Sequence, residues 1–252
     1  MPIHKTDAIV LNRRDYRETS YLVSLFTPDF GKIHAQAKGA RRKIDKFGSS
    51  FSPISYNKIV FYENLKSDLH IVSQADLIEH FPNIDKDIEK FGFASYIVEI
   101  VSASIPFGEK NREIFDLVMK FLKFIDKSDK INNIVQIFEI KFLNLSGFKP
   151  RLDCCVHCGS RILIMSKFSY VLGGLLCKNC DDNDVNAQNL MQGTVATINH
   201  IEKTQLEDLE SFKIITSISQ ELEQILRRFI DFHLGIQFKS LEFLKKLRLA
   251  NV

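Results

Sequence analysis

Three patterns in the 252 residues predict a β + α multidomain chain, a small β barrel followed by a helical domain. Up to about residue 80 the chain reads as short apolar, β-branched and, at Lys32 to Lys38, alternating runs; beyond Pro82 apolar residues recur every three or four. Four of the five cysteines stand in two C-x2-C pairs within the helical part. A period of two marks half-buried strands, and a period near 3.6 marks amphipathic helices.

Composition narrows the class. Apolar residues are 45% and charged residues 26%, enough to build a core and so to exclude whole-chain disorder. With Gly 11 and Pro 6, collagen-like and low-complexity chains are excluded too. The net charge of +3 implies no polyanionic partner by itself, so only local clusters could. Met1 to Tyr16 has no apolar segment of a secretory signal. The most apolar stretch, Phe91 to Phe107, is broken by Glu99, Ser102 and Ser104 and falls short of a span of about 20 residues. The expectation is a cytoplasmic protein with no membrane association, where a disulfide framework is disfavoured.

The strands come in order. Ala8 to Leu11 is apolar, and Ser20 to Thr27 is β-branched and aromatic. Thr27-Pro28-Asp29 with Gly31 marks a turn. From Lys32 to Lys38 the chain alternates, with Ile33, Ala35 and Ala37 on one face and His34, Gln36 and Lys38 on the other. Ser55 to Tyr62 and Leu69 to Ile78 complete five strands. Such a set fits a small barrel of the OB-fold type, with an SH3-like barrel as the competing arrangement. Gly39 to Ser52 breaks the pattern with glycines, serines and a basic run, and predicts an exposed, mobile loop between strands three and four.

Helices follow Pro82, where Asn83 can cap and Asp85 and Asp87 suit the positive end of a helix dipole. Further helices are predicted at Asn111 to Ile125, Asn132 to Leu145, Met191 to Lys203, Phe212 to Leu234 and Lys239 to Leu249. Gly147 with Pro150, and later Gly235, are stop signals. The expected domains are 1–80 and 81–252, with a metal-binding insertion at about 151–182.

Cys155-x2-Cys158 and Cys177-x2-Cys180 are separated by eighteen residues, the spacing of a structural zinc site. Each pair makes a tight turn that aims two thiolates at one point, and two turns complete a tetrahedron. Four protein ligands leave no open position for water, which argues structural rather than catalytic metal. Iron also accepts four thiolates. A Cys154 nucleophile activated by His157 is the enzymatic alternative, though no oxyanion-hole loop accompanies it.

Lys32, Lys38, Arg41, Arg42, Lys43 and Lys46 form a basic cluster against Asp45 alone. On a strand edge and loop of an OB barrel, such a cluster suits the phosphates of an oligonucleotide. Phe47, Phe51 and Tyr56 are aromatic neighbours for stacking on bases, or else belong to the barrel core. A second cluster comprises Arg227, Arg228, Lys239, Lys245, Lys246 and Arg248 against Asp231 and Glu242. Arg227 and Arg228 flank Ile225, Leu226, Phe229 and Ile230, suggesting an apolar groove with a basic rim for an acidic peptide, or simply an amphipathic helix. No Walker, H-E-x-x-H or G-x-S-x-G motif is present, and no enzymatic activity is expected.

An ordered series of residues resembles one family, the bacterial recombination mediator and DNA repair proteins of the RecO type. It runs through Ala8-Ile9-Val10-Leu11, Tyr16-Arg17-Glu18-Thr19, Leu25-Phe26-Thr27 with Gly31, and Ala37-Lys38-Gly39-Ala40-Arg41-Arg42. It continues from Phe138-Glu139 to Leu145, Gly147-Phe148-Lys149-Pro150 with Leu152, Cys155-Val156-His157-Cys158-Gly159, and Gly173-Gly174-Leu175-Leu176-Cys177 with Cys180. It closes with His233-Leu234-Gly235 and Lys239-Ser240-Leu241, departing in Ser240-Leu241-Glu242, where an arginine is expected after the serine. The resemblance implies an OB-fold, a helical domain with a zinc insertion, and binding of single- and double-stranded DNA. It further implies annealing of complementary strands coated by the single-strand binding protein SSB. With the partner RecR, it implies loading of RecA. The basic groove at Arg227 and Arg228 is then the expected site for the acidic SSB tail. An RNA-binding or translation-associated OB and zinc module is the alternative reading of the same parts.

Overall fold

The protein was analysed as a computed structural model, which describes residues 1–42, 47, 50–128, 131–162, 166–209 and 212–250. Five strands form a closed barrel: β1 (Ile3–Tyr16), β2 (Ser20–Thr27), β3 (Gly31–Ala37), β4 (Tyr56–Tyr62) and β5 (Leu69–Glu79). The spatial order is β1-β2-β3-β5-β4, with β4 returning to β1. Every pairing is antiparallel except β3 with β5, which is parallel. This is the Greek-key barrel of an OB-fold.

β1 is longer than its apolar run suggests, because it serves two neighbours. Ile3 to Ile9 pair with β4, and Ile9 to Tyr16 pair with β2. A register shift between Val10 and Asn12 bends the strand from one partner to the other. The barrel interior is filled by Ala8, Val10, Val23, Leu25, Ile33, Ala35, Ala37, Ile59, Phe61 and Val72.

The segment expected to be an exposed loop contributes to that interior. Ala40, Phe47 and Phe51 belong to the barrel core, and the Ser50 hydroxyl donates to the Ala75 carbonyl at 2.9 Å. The reason is apolar area: rings the size of phenylalanine are placed inside when the end of a small barrel leaves room for them. Phe47 and Phe51 lie 5.5 Å apart, with Tyr21 6.4 Å from Phe51.

The chain divides into two compact units, Met1–Ser128 with Phe238–Val252, and Asp129–Gln237. The change from strand to helix near residue 80 falls inside the first unit. There α1 (Pro82–Lys86), α2 (Ile88–Ser104) and α3 (Arg112–Lys127) follow the barrel. Asp87 is the N-cap of α2, accepting from the amides of Glu89 and Lys90, and Asn111 caps α3 at Ile114. The last helix, α7 (Lys239–Ala250), returns to α2. The Glu99 carboxylate accepts from the backbone of Lys239 at 3.0 Å, and from the backbone and hydroxyl of Ser240 at 3.1 and 2.6 Å. An acid is thereby set against the positive end of α7.

The second unit contains α4 (Ile131–Leu145), α5 (Gln192–Lys203) and α6 (Thr216–Leu234), which pack on one another. Between α4 and α5 lies a three-stranded sheet of order β7-β6-β8, with β6 (Ser166–Ser169), β7 (Gly174–Cys177) and β8 (Gln188–Asn189).

Gly31 opens β3 at φ +65°, and a Cβ there would lie 2.2 Å from the Glu109 carbonyl oxygen. Gly31→Ala combines left-handed strain with a backbone overlap, so it is expected to cost about 2–4 kcal/mol. Denaturant unfolding checks this, and a midpoint equal to that of the parent chain would show that the segment after α2 is not held against β3.

Candidate metal centre and nucleic-acid interface

The metal centre belongs to the second unit. The Gly159 amide donates to the Cys155 carbonyl at 2.9 Å, and the Cys155 amide to the Ser160 carbonyl at 2.9 Å. That closes a tight turn with Gly159 at φ +73°, and the turn carries Cys155 and Cys158. Cys177 ends β7, and Cys180 lies in the 3₁₀ turn Lys178–Asn183. The Val156 amide donates to the Leu175 carbonyl at 2.9 Å, tying the first turn to β7. The approach leaves no room for a side chain, since a Cβ on Gly174 would lie 2.3 Å from the Arg151 carbonyl oxygen.

All four sulfur atoms lie within 4.8 Å of one another, and the set could hold a metal ion. The donor chemistry fits. Burial raises the Cys155 thiol, but the amides of Cys158, Cys177 and His157 outweigh it and bring it down to about 6. Burial pushes Cys180 up to about 12, aided by its three neighbouring cysteines. The first thiolate therefore forms readily, while the last needs a cation beside it. Cys154 lies outside the cluster and is buried, whereas the His157 side chain is exposed.

The basic surface belongs to the first unit. Lys38, Arg41 and Arg42 are exposed. The Arg41 amide donates to the Thr19 carbonyl at 3.0 Å, which docks the turn after β3 on the β1–β2 connection. Arg14 and Arg17, also exposed, lie beside this surface, whereas Arg13 stands in the opposite row with Val23 and Ala35, its guanidinium 4.7 Å from the Tyr21 ring centroid. The register explains this: Arg14 pairs across to Leu22, and Leu22 to Gln36 of β3. A linear count of charge misses Arg14 and Arg17, because they are distant from Lys38 along the chain and only the hairpin brings them together. Asp15 lies 3.6 Å from Arg41 and Glu18 lies 3.9 Å from Arg42, both as exposed pairs. Pairs of that kind contribute little and exchange readily for other anions.

Several expected contacts are placed elsewhere. Lys32 is a correction: it is buried, its ammonium donates to the Ser102 carbonyl at 2.6 Å, and it lies 4.4 Å from the Phe107 ring centroid. Burial lowers its pKa. Lys43 and Lys46 lie outside the described residues. Phe47 and Phe51 are core residues rather than platforms for bases.

The apolar groove at Arg227 and Arg228 is also corrected. Ile225, Leu226, Phe229 and Ile230 are all buried, because the apolar stripe of α6 faces its own core. Arg227 is turned in as well, its guanidinium 3.0 Å from the carboxylate of Glu139, which is 0% exposed. Arg228 is exposed, 6.0 Å from the Tyr170 ring centroid. Lys239, Lys245 and Lys246 of the same sequence cluster lie on α7, in the other unit.

Comparison with known proteins gives the family. The description "Recombination protein O N terminal" matches residues 1–81, and "Recombination protein O C terminal" matches residues 85–242. The chain belongs to the recombination protein O family. Relatives named DNA repair protein RecO include that of Thermoanaerobacter sp. (strain X514), 33% identical over 250 residues and covering 98% of this chain and 99% of the relative. That of Alkaliphilus metalliredigens (strain QYMF) is 32% identical over 245 residues, covering 96% and 99%. That of Desulforamulus reducens is 30% identical over 254 residues, covering 100% and 98%. The two RecO matches meet between residues 81 and 85, where strand gives way to helix. Among the described residues, no helix is long and apolar enough to cross a membrane.

Arg227→Ala removes the cation from the buried Glu139 carboxylate and is expected to cost about 3 kcal/mol. The double variant Arg227→Met, Glu139→Leu is expected to recover most of that loss. Chemical denaturation of the three proteins decides it. Equal stability of the single variant and the parent would return Arg227 to the surface.

Proposed function

We propose that the protein mediates DNA repair by homologous recombination without catalysing a covalent step. It holds single- and double-stranded DNA on the barrel, anneals complementary strands coated by SSB, and assists RecA loading together with RecR. The observation that carries this reading is the exposed basic cluster of Arg14, Arg17, Lys38, Arg41 and Arg42 on the β1–β2 hairpin and the turn after β3 of an OB barrel, with Asp15 and Glu18 as exposed partners of Arg41 and Arg42. Membership of the RecO family supports the same process.

The physics is consistent with annealing that needs no nucleotide hydrolysis. Two strands repel through their phosphates, and a cationic surface lowers that repulsion. Arginine forks fix the backbone and leave the base edges free to pair. Of the two arginines first assigned to the SSB tail, Arg228 is the one whose side chain is accessible to an acidic peptide. The metal centre at Cys155, Cys158, Cys177 and Cys180 is read as structural zinc. When bound, the ion would fix the turns that carry its ligands and offset the charge of their thiolates.

The decisive experiment follows energy transfer between two complementary labelled oligonucleotides coated with SSB, without ATP. The protein is expected to accelerate annealing. Six phosphate contacts to a single strand give a slope of log affinity against log salt of about −4, and Arg41→Ala with Arg42→Ala should flatten it to about −3. An unchanged slope would remove the turn after β3 from the DNA surface. A folded protein that anneals nothing but prefers RNA to matched single-stranded DNA would favour the RNA-binding alternative.

A separate measurement addresses the metal. Elemental analysis is expected to give one zinc per chain, lost in Cys155→Ser and Cys180→Ser together with part of the unfolding transition. Stoichiometric iron, or no metal in the folded parent protein, would overturn the zinc assignment.

A further inference from the structure

A cavity of about 390 Å³ lies in the first unit beside β3, bordered by Lys32, His34, Phe61, His70, Phe107 and Lys110. It is a constructed site rather than a gap between loops. Phe107, on the connection from α2 to α3, pairs with Lys32 as a single parallel bridge, and the Gly108 amide donates to the Lys32 carbonyl at 3.0 Å. Gly31 permits that approach, as its contact with the Glu109 backbone requires. The Lys32 ammonium, anchored on Ser102, lies 4.4 Å from the Phe107 ring centroid. Phe107 is thus fixed through its backbone while its side chain remains 52% exposed.

The walls are aromatic. His34 lies 4.2 Å from Phe107, His70 lies 5.4 Å from Phe61, and Phe30 meets Phe61 edge to face at 5.2 Å. Polar groups supply both kinds of hydrogen-bond partner. Lys32 has ammonium protons beyond the one given to Ser102, and Lys110 adds another cation. His70 accepts from the Asn64 amide through Nδ1 at 3.1 Å, so its neutral ring carries a donor at Nε2. Asp68 and Glu63 are acceptors at the border. Burial first, then Lys32 and Arg14, hold His34 below its usual pKa, so at neutral pH it is an uncharged stacking ring. A planar heterocycle with donors and acceptors on its edge matches this lining.

The cavity is also continuous with the basic surface. Lys38, Gln36, His34 and Lys32 share the outer side of β3, which covers about 20 Å from the cationic turn to Phe107. Two cross-strand rows pave this face, Arg14–Leu22–Gln36–Ile71 and Asn12–Ser24–His34–Leu69.

We propose that the cavity accepts one unpaired base of the bound DNA strand, stacked on Phe107 and His34, so that the strand runs along β3 from Lys38 to Phe107. This rests on the DNA-binding reading above and adds to it a position where a base, rather than a phosphate, is held. Stacking is tolerant of sequence, so the site would capture any base.

The chain has no tryptophan, so Phe107→Trp introduces a single fluorescent reporter into the full-length protein. Its emission is expected to be quenched by a single-stranded oligonucleotide and not by an abasic strand of the same length. The anisotropy of a label on each strand reports binding at the same time. In parallel, Phe107→Ala is expected to weaken binding of the normal strand about tenfold, with the abasic strand and the salt slope unaffected. The Phe107 side chain is exposed, and circular dichroism verifies that both variants fold. Emission that is equal with the two strands while both bind, or an alanine variant that binds as the parent does, overturns the proposal. Absence of an anisotropy change with either strand overturns the DNA-binding reading itself, and the cavity assignment with it.

Discussion

Strand β3 is constrained on both edges and both faces, and the first unit is arranged around it. One edge pairs with β2 from Tyr21–Ala37 to Thr27–Gly31, and the other pairs in parallel with β5 from His34–Leu69 to Ala37–Val72. Its inner face supplies Ile33, Ala35 and Ala37 to the barrel core. A slip of one residue would exchange these for His34, Gln36 and Lys38, burying polar groups and exposing the apolar set. Packing inside the barrel therefore determines where Lys38 and His34 stand outside it. The same strand start carries the Lys32 contact that fixes Phe107, so core, cationic surface and aromatic cavity share one register.

Charge in this protein has two uses, and only one is directed at ligands. Lys32 sits against the last turn of α2 at Ser102, and Lys141 donates to the carbonyls of Glu202 at 3.0 Å and Thr204 at 2.7 Å where α5 ends. Both place a cation at the negative end of a helix. Glu99 performs the opposite service for α7. Arg227 neutralises Glu139 within the second unit. The sequence places Lys32 among the nucleic-acid contacts and Arg227 among the peptide contacts because both stand in basic runs. The fold consumes both internally.

That distinction explains what could be read without coordinates. β3 follows from alternation and the other strands from short β-branched, aromatic and apolar runs, and Ser20 to Thr27 matches β2 residue for residue. β1 was legible only at Ala8 to Leu11, since its outer segments carry Lys5, Asp7, Arg13, Arg14 and Asp15 and pair with different neighbours. The two C-x2-C pairs were legible because ligand spacing is local chemistry, and their four sulfurs do converge. Phe47 and Phe51 were legible only as one of two alternatives, because they stand in a basic segment with glycines and serines that reads as an exposed loop, and the fold places them in the barrel core. Arg14 and Arg17 were hidden for the converse reason: their partners are close across strands and distant along the chain. Phe107 carries no motif at all, and it becomes visible only through its bridge to Lys32.

The two halves of the proposed function place different demands on the chain. A divalent ion with four thiolates has a net charge of −2, so the metal centre offers phosphate no attraction of its own. Its apolar cluster is small, with Cys155, Leu176 and Cys180 as the buried members. With so small a cluster, the proposed metal would act as a staple for the fold, as in small metal-bound domains. The basic surface has the reverse character, standing on a closed barrel with its own core of more than ten buried side chains. In the proposed function, DNA contact belongs to the barrel, and the thiolate cluster supports the helical unit in which it is embedded. Loss of metal would act on function through the folding of that unit, not through a lost contact with the strand.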